Sequence, residues 1–158
     1  MKRILVPSTA AIAAALALSV PDEAAAQTEC TGPASPVRLY VIVENIRTAQ
    51  GLIAVTLYTD DSRRFLARRS SLYVGRVPAR APRTRICIHL PSTGVYALGV
   101  YHDENGNRSY DRSGLGLPRE GFGFSNNPAT IVGIPSFRSV RIAVPRNNMQ
   151  ATVRLRYP

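Results

Sequence analysis

The stretch "VRLYVIVENIRTAQGLIAVTLYT", residues 37–59, decides the fold. Its apolar residues recur at every second position: Val37, Leu39, Val41 and Val43, then, beyond Gly51, Ile53, Val55 and Leu57. A period of two with many β-branched side chains marks a half-buried strand, because successive side chains of a strand point to opposite faces. A helix would need a period near 3.6.

The pattern continues along the chain. Ile86, Ile88 and Leu90 alternate in "RICIHL", residues 85–90, and Tyr96, Leu98 and Val100 in "VYALGVYH", residues 95–102. Val140, Ile142 and Val144 share a face. So do Ala151, Val153, Leu155 and Tyr157, with Arg154 and Arg156 turned the other way. Pro91-Ser92-Thr93-Gly94 separates the third run from the fourth, and Pro145-Arg146-Asn147-Asn148 reads as a hairpin link between the last two. Ser62–Ser71 tolerates a helical turn or two, with Phe65 and Leu66 as its anchors to a sheet edge. These features predict an all-β chain, an antiparallel β-sandwich of about seven strands, with a small β-barrel as the alternative.

The N-terminus reads as an export signal. Lys2 and Arg3 precede an apolar run from Ile4 to Val20, and Ala24-Ala25-Ala26 offers a small-residue cleavage site before Gln27. Pro7 breaks the run, and Asp22 and Glu23 close it, which argues against a membrane anchor. The expected organisation is a signal peptide at 1–26, an N-terminal tail at 27–36, and one sandwich domain at 37–158 with no transmembrane segment. The expected location is the periplasm or the cell exterior. Cys30 and Cys87 are the two cysteines, and in an exported chain they are expected to form a disulfide, with free thiols as the alternative. Cys87 shares its strand face with Arg85 and His89, so the bridge is expected to tie the tail across the outside of a sheet.

The formal charge is +10, from twenty Lys and Arg against ten Asp and Glu. Without the leader every strong base is an arginine, whose planar fork suits phosphate and carboxylate. An anionic lipid or polysaccharide of the cell envelope is therefore a candidate partner. The arginines are scattered, apart from Arg63, Arg64, Arg68 and Arg69, and no RNA-binding aromatic signature accompanies them, which argues against nucleic acid.

The densest polar stretch follows residue 102. Asp103, Asn105, Asn107, Ser109 and Asp111 fall at relative positions 1, 3, 5, 7 and 9, a spacing that turns every second oxygen inward and suits a hard cation such as calcium. Arg108 stands where such loops favour glycine, and Gly114 where they carry a bidentate glutamate. The same residues also suit a self-capped turn, since Asp and Asn bond their own backbone and Asn105-Gly106 is a strong turn pair. His102 lacks the partner histidines of a transition-metal site, His89 being the other histidine. Asp103, Glu104, Asp111 and Glu120 are the carboxylates a hydrolase would use, but no nucleophile–base–orienter set is legible, so no catalytic residue is assigned and the chain is expected not to be an enzyme. Downstream, Glu120, Phe122, Phe124, Asn126 and Asn127 lie in a glycine-rich segment without strand alternation. They form a candidate ligand-facing loop. Phe122 and Phe124 either pack inward, with Gly121 and Gly123 letting the backbone bend, or present an aromatic platform.

These residues carry a resemblance. "GVYALGVYHDENGNRSYDRSGLGLPREGFGFSNN", residues 94–127, with "PSFRSVRIAV" and "ATVRLRY" after it, resembles the DUF2141 family of exported bacterial proteins. The shared pattern is Gly94-x-Tyr96-Ala97, then His102-Asp103-x-Asn105-x-Asn107 to Asp111, then Leu115-Gly116-x-Pro118-x-Glu120-Gly121-x-Gly123-Phe124-Ser125-Asn126-Asn127. Arg108 departs from it, the family often having glycine there. The resemblance implies an immunoglobulin-like or transthyretin-like sandwich. It implies no substrate.

Overall fold

The runs at 37–44 and 52–59 form strands β1 (Val37–Glu44) and β2 (Leu52–Thr59) in a computed structural model that describes residues 29–130 and 134–158. The expected signal peptide lies outside the described residues. The remaining strands are β3 (Tyr73–Pro78), β4 (Arg83–Leu90), β5 (Gly94–Asp103), β6 (Phe122–Phe124), β7 (Arg141–Val144) and β8 (Met149–Arg154), with a four-residue helix, α1 (Phe137–Val140), before β7. Among the described residues eight strands fall into two sheets. One has the order β4-β1-β8. The other has the order β3-β2-β5-β6, with β7 pairing the opening stretch of β5. The sheets are not closed into a barrel, and the architecture is a β-sandwich.

The alternation works as expected on the inner faces. Leu39, Val41 and Val43, then Ile53, Val55 and Leu57, then Ile86, Ile88 and Leu90, then Tyr96, Leu98 and Val100 meet Val144, Val153 and Leu155 in one core. Each large apolar side chain so buried contributes roughly 1.5–3 kcal/mol relative to its exposed state. A second, smaller cluster covers the outer face of β2 and β5. Tyr58, Ala97 and Val140 form it, and Phe65, Phe124 and Phe137 pack on it. Val140 therefore does not share a face with Ile142 and Val144; it closes α1 and belongs to this outer layer.

Several local expectations are corrected. The Pro145–Asn148 link is not a hairpin, because β7 pairs with β5 in one sheet and β8 pairs with β1 in the other. The link crosses between sheets, and the β1–β8 pairing is parallel. Residues 62–66 form turns rather than helix, and Leu66 and Arg69 adopt positive φ, which stops a helix. Phe65 anchors this segment; Leu66 is exposed.

The disulfide Cys30–Cys87 forms, with Cα atoms 4.4 Å apart. It closes a loop of 57 residues, for which the chain-entropy model gives a stabilisation of about 4 kcal/mol. The tail does not run across the outside of a sheet. Thr31 lies along the edge of β4, donating its N–H to the Cys87 carbonyl and accepting the His89 N–H, both at 2.9 Å. The Tyr73 hydroxyl donates toward the carbonyls of Thr31 and His89, so the tail fills the seam between β4 of one sheet and β3 of the other.

Candidate functional site

The candidate loop leaves the end of β5 and returns in β6. Its base is set by two carboxylates. Asp103 is fully buried, and its oxygens accept the N–H groups of Asn107, at 3.0 Å, and Arg108, at 2.8 Å. Glu120 is 4% exposed and clamps the loop across its width: Oε1 accepts the Glu104 N–H at 3.1 Å, and Oε2 the Asp111 N–H at 3.0 Å. Burial pushes the Glu120 carboxyl above its ordinary value, against the two N–H donors that favour its anion. Glu104 turns outward to a two-pronged pair with Arg47, at 2.8 and 2.5 Å, and these hydrogen bonds hold its carboxyl below the usual range.

The middle of the loop curls through successive side-chain-to-backbone bonds. Asn105 Oδ1 accepts the Asn107 N–H at 3.0 Å, and Asn107 Oδ1 accepts the Ser109 N–H at 2.8 Å. This curl brings three side chains together. The Asn105 amide donates to Asp111 at 2.7 Å, and the Asn107 amide to both Asp111 oxygens at 3.0 Å. The structure thus gathers Asn105, Asn107 and Asp111, and keeps Asp103 beneath them, occupied with backbone. Ser109 is exposed and takes part through its N–H. Among the described residues no group of three or more His, Cys, Asp or Glu side chains is gathered as metal ligands.

His102 is fully buried beside this base. Its Nε2 lies 2.7 Å from the Gln50 carbonyl, which can only accept, so the ring proton sits on Nε2. Nδ1 is then left to accept from the Tyr157 hydroxyl at 2.8 Å. Both ring nitrogens are engaged in joining β5 to the β1–β2 loop and to Tyr157.

The glycine-rich return is a packing device. Tyr101, Tyr110, Phe122, Phe124 and Phe65 follow one another with ring centroids 5.5–6.2 Å apart, an aromatic row on the outer face of the sheet. Burial in this row pushes the Tyr110 hydroxyl up to about 12. Gly121 and Gly123 are required for close approach rather than for bending. A Cβ on Gly121 would stand 2.3 Å from the Tyr157 ring, and one on Gly123 2.7 Å from the Arg154 carbonyl. Ser125, Asn126 and Asn127 then tie the return to β5, α1, β7 and β8. Ser125 Oγ accepts the Leu98 N–H of β5 and donates to the Val140 carbonyl of α1. The Asn126 amide donates to the Arg141 carbonyl at 2.7 Å. Asn127 accepts the Arg154 N–H at 2.7 Å and donates to the Thr152 carbonyl at 2.9 Å, both of β8. A groove of about 370 Å³ lies apart from the loop base, between β7 and β8, with Ile142, Val144, Met149 and Ala151 in its walls and Asn126 at its rim.

Sequence spacing finds the Asp and Asn residues but misses Arg47, Gln50 and Tyr157, which hold the loop from distant parts of the chain. Nothing local marks them; for Tyr157 the one signal is its place in the closing alternation.

Fold and site together define a disulfide-stapled β-sandwich with a carboxylate-braced polar loop. The family model for DUF2141, uncharacterized proteins conserved in bacteria, matches residues 41–152, and the chain belongs to this family. No curated protein and no solved structure matches it.

Proposed function

We propose that the protein is an exported, non-catalytic binding module whose 103–120 loop is the recognition element. One observation carries this reading: every carboxylate of the loop is already engaged. Asp103 and Glu120 accept backbone N–H groups, Glu104 holds Arg47, and Asp111 holds two amides. A general acid or base needs a carboxyl free to meet a substrate proton, whereas a recognition loop needs to be held in shape. The Cys30–Cys87 bridge supports export, since disulfides persist in oxidising compartments.

Calcium is the cation this loop would take, with Asn105, Asn107 and Asp111 supplying the oxygens. The grouping of these three side chains supports it, although the two amides donate to Asp111 and the two Asn oxygens accept backbone N–H groups, so the ion would take the place of the amide donors on Asp111. With Asp111 as the one carboxylate that can exchange side-chain amide donors for an ion, the site belongs to the weak class of extracellular calcium modules, with Kd on the order of 0.1–1 mM. Calorimetry with calcium tests it. The expected result is a weak exothermic or endothermic titration that disappears in Asp111→Ala. No heat at millimolar calcium, with an unchanged melting temperature, removes the cation. Ester or glycoside hydrolysis that vanishes in Asp111→Asn and Glu120→Gln removes the non-catalytic reading.

A further inference from the structure

The far end of the loop reads "RSGLGLPR", residues 112–119: two leucines, two arginines and no acid. It forms a small braced hairpin. Arg112 pairs with Pro118 across an antiparallel bridge. The Ser113 N–H donates to the Leu117 carbonyl and the Gly116 N–H to the Ser113 carbonyl, each at 2.8 Å, and the Leu117 N–H reaches Ser113 Oγ at 3.2 Å. This bracing leaves Leu115 89% and Leu117 60% exposed. A slack loop would fold such side chains onto the aromatic row beside it; a braced one holds them out in water.

The surroundings specify a partner by charge. Arg112 and Arg119 flank the leucines, and the register that pairs Arg112 with Pro118 sends them to opposite faces of the hairpin. Both are exposed, as is Arg108 at the base. Among the described residues the ion pairs of arginine engage Arg47, Arg83 and Arg141, and none of these three. An apolar tip flanked by arginines outside any ion pair, one of them, Arg112, lying 5.2 Å over the Tyr110 ring, is complementary to a bilayer surface, where acyl chains lie beneath a layer of phosphates. A nucleic acid or acidic polysaccharide would use the arginines and leave the leucines in water.

We infer that Leu115 and Leu117 insert into the headgroup–acyl boundary of an anionic membrane, with Arg112 and Arg119 on the lipid phosphates. This deepens the reading of the loop as a recognition element and names its partner as a lipid surface. The tip touches bilayer; the Asn105–Asn107–Asp111 turn behind it does not.

The chain contains no tryptophan, so Leu115→Trp introduces a single indole at the tip. Its emission is recorded with phosphatidylcholine vesicles and with vesicles containing phosphatidylglycerol, at low and high salt. The expected result is a blue shift with the anionic vesicles, and quenching by brominated acyl chains. In co-sedimentation, Leu115→Ser with Leu117→Ser is expected to weaken binding about ten-fold or more. Arg112→Gln with Arg119→Gln is expected to weaken it and remove most of its salt dependence. An indole that keeps its exposed emission beside anionic vesicles overturns the inference. So does a double-serine variant that sediments like the wild type, since the net charge would then account for binding. If the indole shows no shift while the calcium titration persists, the membrane partner falls and the cation reading stands. A shift without calcium heat gives the converse.

Discussion

The base and the tip of the 103–120 loop reverse the ordinary placement of side chains. At the base the carboxylates of Asp103 and Glu120 are inside; at the tip Leu115 and Leu117 are outside. Neither arrangement is favourable in isolation. A buried carboxylate loses its hydration, and an exposed leucine orders water around itself. The base is sustained because its buried oxygens accept backbone N–H groups that would otherwise lack partners. The tip is sustained by its own main-chain bonds, which keep it from folding over. One end of the loop is thus built for stability, and the other is left with surface unsatisfied.

That contrast can be broken at either end. The largest effect is expected from Asp103→Ala, which strips the Arg108 N–H of its acceptor and leaves the Asn107 N–H with Asn105 Oδ1 alone. Urea unfolding should show a loss of about 3 kcal/mol, from two bonds to a charged acceptor; a loss below about 1 kcal/mol would mean that the base is braced without it. Next is Glu120→Gln, expected to cost about 1 kcal/mol at neutral pH because the amide can accept through one atom only. Its clearer signature is in the pH profile. Burial raises the folded-state value of Glu120 above its ordinary 4.5. The penalty on its anion therefore appears, and stability falls, as pH rises from 4.5 through that raised value. Glutamine should abolish this slope. Glu104, lowered by Arg47, has the opposite sign: its contribution is lost as pH falls below its ordinary range, and the variant should retain that loss. The smallest effect is expected at the tip, where Leu115→Ser with Leu117→Ser should leave the unfolding free energy within about 0.5 kcal/mol of wild type. A large destabilisation there would place the leucines in the fold rather than on a binding surface.

The inner face of each long strand was legible in the sequence, because the period of two is local and the core rewards it directly. Val41, Val55, Ile88, Leu98 and Val153 are all where alternation puts them. Two strands were not legible. In β3, Gly75 and Pro78 imitate a turn; Gly75 is small because the tail lies against it, its Cβ position being 2.2 Å from Thr31 Oγ1. β6 has three residues, too few to show a period. The crossing at Pro145–Asn148 was misread because a turn signal says that the chain reverses, not which sheet it enters next. At the site, spacing found the residues that bend the loop. The Glu120 clamp was hidden, since its donors at Glu104 and Asp111 are backbone groups that any sequence would supply.

The parallel pairing of β1 with β8 has a kinetic consequence. β1 is the central strand of its sheet, yet one of its two neighbours, β8, is made long after it in the chain. During synthesis β4 can dock early, but the other flank of Val41 and Val43 stays open until β8 has emerged. Such long-range closure is slow and leaves an adhesive edge available to other chains. A nascent form of this protein is thus most vulnerable to aggregation in the interval just before Met149–Arg154 arrives, and a holding chaperone would matter most then.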